Sequence, residues 1–270
     1  MFEVRSAGPL VRLVMARQLL GRRLHKVSAY VSGPLLIDAG PPTMAGELVR
    51  WLREDPRGRR VRAVLITHHH EDHVGGCARI ARELSLPIYA PPATVERMAG
   101  GHRIPFYRWL IWGSVPSTDA GQSLGEVFEG EGRSLRVIPT PGHAFDHVCY
   151  FDEDAGTLFS GDLFVHERVH SARRIEDPWE HLASLKRVRD LAPRRMACAH
   201  AGWVEEPVSA LDRKIAYWQQ LAERARDLAA EGESVAAIRR RLLGREGVLT
   251  LFSLGDFSKK RLIAKLLAGP

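Results

Sequence analysis

Cysteine and lysine are both scarce in this 270-residue chain. The three cysteines, Cys77, Cys149 and Cys198, are widely spaced and form no CxxC pair. We therefore expect buried thiols rather than a disulfide framework. Lysine occurs at six positions only, and the basic residues are scattered over the whole chain. The net charge of +7 is for that reason weak evidence for a nucleic-acid partner, which stays possible but is not favoured.

Long apolar runs are absent as well. No stretch of about eighteen apolar residues occurs, so a transmembrane helix is not expected. An apolar run covers residues 8–20, but Arg12 and Arg17 interrupt it and no small-residue cleavage site follows. A signal peptide is therefore not expected. The sequence predicts a cytoplasmic protein with no membrane partner, and no repeat or low-complexity linker divides the chain.

Apolar runs and helical patterns alternate over the first 205 residues. Several short runs have the length and turn-residue borders of strands, and we predict strands at 29–31, 35–37, 64–66, 86–89 and 196–199 and repeatedly between Val127 and Ser160. Asp177 followed by Pro178 is typical of a helix start. Residues 91 to about 120 look like an insertion over one end of the domain. The alternation predicts packed α/β layers.

The last part of the chain has a helical period instead. Leu211, Ile215 and Trp218 fall on one face of a first helix. Ser234 is expected to cap a second helix and Asp256 a third. We therefore divide the chain into an α/β domain at 1–205 and a C-terminal helical segment at 206–270.

A cluster of histidines and acids follows the apolar run 64–66. Four potential metal ligands stand within six residues: His68, His70, Asp72 and His73. Residues two apart in an extended segment point the same way, so His68 and His70 can share one cation. Asp72 and His73 enter the next helix and can face a neighbouring point. Imidazole and carboxylate ligands suit zinc, and also iron or manganese. The alternative is a solvated histidine-rich loop.

Three further candidates stand where other strands are expected to end. They are His143, Asp162 and His200, each close to a glycine that leaves room for the backbone at a crowded site. Their recurrence after separate apolar runs favours a metal site over a solvated loop.

This pattern, HxHxDH followed by His, Asp and His, resembles the full ligand set of the metallo-β-lactamase superfamily of dinuclear hydrolases. The stretch THHHEDHVGG is especially similar to glyoxalase II. The resemblance covers residues 68–200 and, by the strand pattern, about the first 205. It implies an α/β fold of the metallo-β-lactamase type, an αββα sandwich, here with a C-terminal helical segment.

The resemblance also implies a role for each ligand. His68, His70 and His143 would hold a first metal ion, while Asp72, His73 and His200 would hold a second. Asp162 would bridge two divalent ions that share a hydroxide, and Asp72 would also be catalytic by orienting that nucleophile. Asp38 resembles a family aspartate that hydrogen-bonds the loop with the first ligands. Side-chain alternation turns His69 away from His68 and His70, so we expect a supporting role for it. His147, four residues after His143, is expected to support the site by hydrogen bonding.

The substrate is less well defined by this resemblance. Members of the superfamily cleave thioesters, lactones, β-lactams, phosphodiesters or RNA, and the complete ligand set disfavours its oxidative branches. The glycine- and cysteine-bearing segment that precedes glutathione recognition in glyoxalase II is missing here. In its place stand Arg168, Arg173 and Arg174, whose guanidinium groups would suit an anionic group on the substrate. A solvated basic loop is the alternative.

Aromatic residues of the insertion complete the candidate pocket. Tyr107, together with Phe106, Trp109 and Trp112, is expected to form a lid or an apolar wall over the substrate. Simple packing of the insertion is the alternative for these four side chains.

The sequence thus predicts a zinc-dependent hydrolase acting on a thioester, ester or lactone of a small anionic molecule. The alternative is a phosphodiesterase or ribonuclease of the same fold, which the positive charge and the C-terminal helices favour. Against it, no KH-type GxxG loop, RRM-type aromatic motif or long basic tail occurs. A non-enzymatic binding scaffold is a third possibility that the intact ligand set disfavours.

Overall fold

A computed structural model gives the fold over residues 1–19, 22–101 and 104–269. The strands are β1 Phe2–Ala7, β2 Leu10–Leu19, β3 Arg22–Ser32, β4 Leu35–Ile37, β5 Ala63–Leu65, β6 Ile88–Ala90, β7 Gly121–Ser123, β8 Val127–Gly130, β9 Arg133–Pro139, β10 Val148–Asp152, β11 Thr157–Gly161, β12 Arg195–Cys198 and β13 Gly202–Val204. The helices are α1 Ala45–Glu54, α2 Glu71–Val74, α3 Cys77–Leu84, α4 Pro92–Gly100, α5 Phe106–Trp112, α6 Pro178–Arg189, α7 Pro207–Ala230, α8 Val235–Leu243, α9 Val248–Phe252 and α10 Lys259–Ala268.

The strands form two sheets. The first has the order β1 to β7, antiparallel from β1 to β4 and parallel from β4 to β7. The second has the order β13-β12-β11-β10-β9-β8, with one parallel pair, β11 with β12. Val64 and Leu65 of β5 are fully buried, as expected for a strand covered on both faces.

Three apolar clusters separate four layers. The central cluster joins the two sheets, with Leu35 and Leu65 from the first and Tyr150 and Phe159 from the second. A second cluster lies between the first sheet and α1, α3 and α5, and a third lies between the second sheet and the helices from α6 to α10. The fold is therefore the predicted α/β sandwich with layers in the order αββα.

The polar residues of interest lie at one edge of this sandwich. Asp38 follows β4, residues 67–73 follow β5, residues 140–147 follow β9, residues 161–164 end and follow β11, and residues 199–201 follow β12. We call the last four segments the ligand loops. Because β5, β11 and β12 end at the same edge, the sequence-distant candidates meet there.

Most of the predicted elements are confirmed. Asp177 caps α6 by accepting hydrogen bonds from the amides of Trp179 and Glu180, and Ser234 caps α8. The prediction that Asp256 caps the last helix is wrong, since Ser258 is the N-cap of α10 and accepts from the Arg261 amide. The Asp256 carboxylate is instead engaged by the Tyr107 hydroxyl and the Arg174 amide.

The C-terminal helices share a core with the second sheet. Leu211 and Trp218 of α7 and Leu262 of α10 pack in the same cluster as Leu158 and Leu185. The boundary at 205/206 stays a prediction. The three cysteines are buried free thiols, as expected. No helix among the described residues is both long and apolar enough to cross a bilayer.

Candidate metal centre

The seven predicted ligands meet in two groups at the edge where the ligand loops lie. His68, His70, His143 and Asp162 form one group, and Asp72, His73, Asp162 and His200 form the other. Within each group one ligand atom from every residue lies within 4.8 Å of the others. Asp162 belongs to both groups, so the geometry has room for two cations that share one carboxylate.

The first group brings nitrogen atoms unusually close together. The Nδ1 atom of His70 lies 2.8 Å from His68 Nε2 and 3.1 Å from His143 Nε2. One imidazole nitrogen offers a single in-plane position, which holds either a hydrogen or a lone pair. It cannot satisfy two neighbouring nitrogens by hydrogen bonding, whereas three lone pairs directed at one cation can converge in this way.

The second group holds buried polar atoms that are close together but poorly hydrogen-bonded. His200 Nε2 lies 3.2 Å from Asp162 Oδ2 and 3.4 Å from Asp72 Oδ2. Among the described residues, His73 Nε2 and Asp162 Oδ1 are buried and make no well-directed hydrogen bond, although they lie 3.4 Å apart as an ion pair. An unmade bond at a buried polar atom costs about 1–3 kcal/mol, more for charged groups. A bound divalent cation fits these atoms, because it would satisfy both.

In His73, His200 and His143 the Nδ1 atom contacts a protein oxygen on the side of the ring away from the donor groups. Nε2 is therefore the nitrogen that faces the donor group. Nδ1 of His73 lies 2.7 Å from Asp38 Oδ2, and Nδ1 of His200 lies 2.6 Å from the Lys26 carbonyl oxygen. Nδ1 of His143 lies 3.3 Å from Glu176 Oε1. With the proton held on Nδ1, each Nε2 lone pair points into its group, which is how a metal-binding imidazole is usually oriented.

Asp38 organises the base of the first ligand loop. It occupies a left-handed conformation directly after β4, and its carboxylate accepts hydrogen bonds from the amide and hydroxyl of Thr67 as well as from His73. This agrees with the predicted supporting role of Asp38. The Thr67 hydroxyl also lies 3.0 Å from Nδ1 of His68, so one carboxylate positions both rings.

His69 turns away from the two groups, as the side-chain alternation predicts. Its amide and its Nδ1 atom both contact the carboxylate of Asp146, at 3.0 and 2.7 Å. Thr94 donates a further hydrogen bond to Asp146. Asp146 thereby ties the His143 loop to the His68 loop and to α4, a role that nothing in the sequence pattern indicates.

His147 supports the group from behind. It accepts a hydrogen bond from the Asp162 amide at Nε2, and its Nδ1 lies 2.7 Å from the Thr140 hydroxyl. Burial lowers the pKa of His147 to about 3, so the ring is neutral, as this bonding requires. Gly161 has a φ of +47° at this point, and a Cβ atom there would lie 2.7 Å from His147 Nε2. The glycine is therefore needed for the close approach.

The carboxylates and imidazoles of the second group stabilise each other's charged forms. Burial alone would lower the pKa of His73 and of His200, but the neighbouring aspartates raise both well above their ordinary value. Burial would likewise raise the pKa of Asp162, yet His200 and His73 hold it well below its usual range. A region that stabilises protons in this way can hold a divalent cation in their place.

The three predicted substrate-binding arginines have different surroundings. Arg173 is buried, and its Nη2 atom lies 3.3 Å from His143 Nε2 and 3.4 Å from His70 Nε2. Arg168 and Arg174 are exposed. Only Arg173 of the three is therefore at the metal centre.

Arg173 is paired with a carboxylate that the sequence analysis did not identify. Its Nε atom and its amide donate to the two oxygens of Glu176, which also contacts His143. Arg173 and His143 together outweigh the effect of burial and hold the pKa of Glu176 below its usual range. The spacing of three residues between Arg173 and Glu176 was the available signal.

Tyr107 is buried on α5, a helix that contacts the first ligand loop through Arg108 and belongs to a larger structure. We call α5 together with residues 246–258 the cover. Arg108 of α5 donates to Glu71 at 2.6 Å, directly beside Asp72, and Tyr107 donates to Asp256 at 2.6 Å. Residues 102–103, part of the predicted insertion, lie outside the described residues.

Known proteins resemble the chain over most of its length. The sequence profile of the metallo-beta-lactamase superfamily matches residues 27–200. A protein named hydroxyacylglutathione hydrolase from Halorhodospira halophila is 32% identical over 84% of this chain and 78% of its own length. An atrochrysone carboxyl ACP thioesterase from Aspergillus fumigatus is 27% identical over 79% of this chain, which spans 62% of that relative. Coverage of several other curated relatives is similarly near 60%.

Solved structures agree with the fold. A beta-lactamase domain protein from Burkholderia ambifaria has a TM-score of 0.72 at 21% identity, over 99% of this chain and 90% of its own. A metallo-beta-lactamase from Pontibacter korlensis has a TM-score of 0.64 at 19% identity, over 81% and 99%. The profile match, the relatives and the two donor groups lead to one conclusion: the chain belongs to the metallo-beta-lactamase superfamily and is a hydrolase.

Proposed function

We propose that the protein is a zinc-dependent hydrolase of thioesters, esters or lactones of a small anionic molecule. The observation that carries the proposal is the sharing of Asp162 between two donor groups, in each of which the nitrogen and oxygen donors lie within 4.8 Å of one another. Zinc suits these imidazole and carboxylate ligands, and iron and manganese are the alternatives.

Bound divalent ions would lower the pKa of a coordinated water to ~7 and polarise the substrate carbonyl. The chain's own residues supply position and charge. Asp72 lies with its carboxylate against His200, where it can accept a proton from the attacking water and hold that water in line. His73 and His200 are fixed by Asp38 and Lys26, so the approach geometry is set before substrate binds.

The position of Arg173 supports the proposal that the substrate is anionic. Its guanidinium is buried at the first donor group, and a charge-assisted hydrogen bond from it to a substrate carboxylate or phosphate would be short and strong. One relative is named a thioesterase and others are named as hydrolases of hydroxyacylglutathione, which supports a thioester among the three bond types.

A substrate-class screen on zinc-loaded protein tests the proposal. Thioesters, lactones and phosphodiesters are compared at equal concentration, each with an anionic and a neutral member, and Asp72→Asn is run beside the wild type. We expect turnover of at least one carbonyl substrate, faster for the anionic member and lost in Asp72→Asn. Turnover of phosphodiesters alone would contradict the proposal.

A phosphodiesterase is the second candidate, and the distribution of charge favours it. Residues 234–269 hold eight basic and two acidic residues, against a net charge of +7 for the whole chain. An enzyme that follows a phosphate backbone loses activity steeply with salt, by about one power of concentration per phosphate contact. A shallow salt dependence of the observed turnover supports the small-molecule hydrolase instead.

A further inference from the structure

Large apolar side chains are exposed around the metal centre. Over the part of the chain that the structure describes, exposed large apolar residues other than Val127 lie in four segments. These are α5, the loop around Phe145, the loop around Ile175, and residues 246–258 with α9. Single exposed apolar residues are ordinary on protein surfaces, but their concentration in a few adjoining segments marks a binding surface.

The most exposed members belong to α9 and the turn after it. Val248, Leu251 and Leu254 are 82%, 78% and 87% exposed, so they contribute almost nothing to the core. On α5, Phe106 stacks on Trp109 with ring centroids 5.6 Å apart, and both rings are exposed. Burying such side chains would stabilise a complex by ~1.5–3 kcal/mol each if fully covered.

Contacts join α5 to residues 246–258. The Tyr107 ring lies 6.0 Å from the Phe252 ring and 6.4 Å from the Phe257 ring. The hydrogen bond from Tyr107 to Asp256 closes the same junction. The two halves of the cover, each of which carries exposed apolar residues, are therefore packed against each other.

Each of the four segments also contacts the ligand loops or a residue that braces them. Arg108 of α5 pairs with Glu71, and Phe257 of the cover lies under the guanidinium of Arg173 at 5.7 Å. The ring of Phe145 lies 5.5 Å from that of His69. Ile175 precedes Glu176, which contacts His143. These contacts connect the exposed apolar segments to the candidate metal ligands, which favours substrate binding over docking to a membrane or to a second copy.

From these contacts we propose that the apolar surface binds the acyl chain of the substrate, so that the enzyme prefers thioesters or esters with long apolar acyl groups. The inference rests on the proposed function and names the substrate class within it. A carbonyl held at the donor groups would have the cover beside it, because Phe257 of the cover lies against Arg173, whose guanidinium is 3.3 Å from His143.

The test is the dependence of kcat/KM on acyl length. Zinc-loaded full-length protein is assayed with acetyl-, butyryl-, hexanoyl- and octanoyl-coenzyme A, which share one leaving group. A fully buried methylene contributes about 0.8 kcal/mol, or about fourfold in binding. For partial burial we expect kcat/KM to rise at least ~10-fold from acetyl to octanoyl.

Matched variants locate the effect. Val248→Ser/Leu251→Ser and Phe106→Ser should each reduce the octanoyl-to-acetyl ratio at least ~3-fold, the equivalent of about one methylene contact. Val127→Ser is the control, because Val127 is also exposed but lies on β8 at the far edge of the second sheet. It should leave the ratio unchanged. A flat wild-type series, or an equal loss in the control, overturns the inference.

A binding measurement separates this inference from the proposed function. Octyl- and ethyl-thioether analogues of coenzyme A cannot be hydrolysed, and their affinities are measured by calorimetry. Tighter binding of the octyl analogue without turnover of any thioester would refute the proposed function and leave the apolar site standing. Turnover of thioesters without any dependence on chain length would support the proposed function and refute the acyl-chain site. If the serine variants lost only sedimentation with phosphatidylglycerol vesicles, or only self-association, the acyl-chain assignment would also be wrong.

Discussion

The ligand loops and the cover meet at the same site but are held in different ways. In the ligand loops the backs of the metal-binding rings are held by short hydrogen bonds, and the single carboxylate of Asp38 accepts from both Thr67 and His73. The cover is joined to the rest of the site by a few long-range contacts, chiefly Arg108 with Glu71, the Arg174 amide with Asp256 and the bridge from Ala172 to Ser258, and it exposes apolar side chains. The difference teaches that this site combines fixed donor positions with a more weakly attached binding surface.

The cover is nevertheless braced from within. Glu246 accepts hydrogen bonds from the amides of Lys259 and Lys260 and from the hydroxyls of Thr250 and Ser258. These bonds lower the pKa of Glu246 to about 2, although burial acts in the opposite direction. The segment from 246 to 260 therefore holds its own shape, and its attachment to α5 is the weaker part.

Removing a group from the ligand loops should have the largest effect. Asp72→Ala should reduce kcat/KM by at least ~10², the usual loss for a principal catalytic group. His69→Ala changes a neighbour that faces Asp146 instead, and it should cost far less. Steady-state kinetics on both zinc-loaded variants check this, and equal losses would show that the two faces of the loop are misassigned.

Arg173 lies between the two regions, contacting His143 on one side and Phe257 on the other. Arg173→Gln should reduce kcat/KM by roughly 10- to 150-fold for anionic substrates, the loss of one charge-assisted contact worth ~1.5–3 kcal/mol. Neutral substrates should be affected much less. The exposed Arg168→Gln and Arg174→Gln are the matched controls.

The removal of Arg173 also leaves Glu176 buried without its cation, which can destabilise the fold. Arg173→Gln/Glu176→Gln restores neutrality and keeps the prediction testable. If that double variant treats anionic and neutral substrates as the wild type does, Arg173 has no part in anion binding.

Lys214 braces the ligand loops from the helical side. It is fully buried on α7, and its ammonium donates to the carbonyl oxygens of Phe164 and His166, just after Asp162. Burial lowers the pKa of Lys214 to about 7 from an ordinary value of 10.5. At a pH between these two values, Lys214 carries a proton in the unfolded chain but not in the folded chain.

The contribution of Lys214 to the free energy of unfolding should therefore rise with pH from 7 to 10, by up to ~1.4 kcal/mol per pH unit, and be lowest and constant below pH 7. Lys214→Met lacks this dependence. Urea unfolding of both proteins at pH 7, 8 and 9 measures the difference, which should widen in favour of the wild type as pH rises. Parallel curves would mean that the lysine stays charged in the fold.

The junction inside the cover, between α5 and residues 246–258, should give the smallest effect. Tyr107→Phe removes the hydroxyl that donates to Asp256 and should lower the free energy of unfolding by about 1 kcal/mol. Tyr217→Phe is a suitable control, because its hydroxyl contacts Val169 and His170 rather than the cover. Equal values for Tyr107→Phe and the wild type would show that the junction adds no stability.

The contrast between the two regions also explains what the sequence could predict. The ligand loops follow strand ends, where alternation and turn residues decide side-chain direction locally, so His68, His70 and His73 could be assigned before the structure. Asp146 and Asp256 could not, because their partners Thr94 and Tyr107 are 52 and 149 residues away in the chain. Pairings of that kind depend on tertiary packing.

The exposure of helix α9 also could not be predicted from the sequence. Its five residues, Val248–Phe252, are largely apolar and mostly exposed, which contradicts the burial that composition alone predicts. Arg168 and Arg174 differ from Arg173 in burial although all three belong to one short basic stretch. The short distance from Asp162 in the sequence therefore indicated a segment near the donor groups, but it did not indicate which of the three arginines contacts them.

Metal content tests the central claim most directly. After loading with zinc and removal of excess metal, elemental analysis should find about two ions per wild-type chain and fewer than one in Asp162→Ala, which loses the shared carboxylate. His69→Ala, outside both donor groups, should retain about two. A wild-type chain that stays metal-free in excess zinc, iron and manganese, or an Asp162→Ala chain that keeps both ions, would contradict the account.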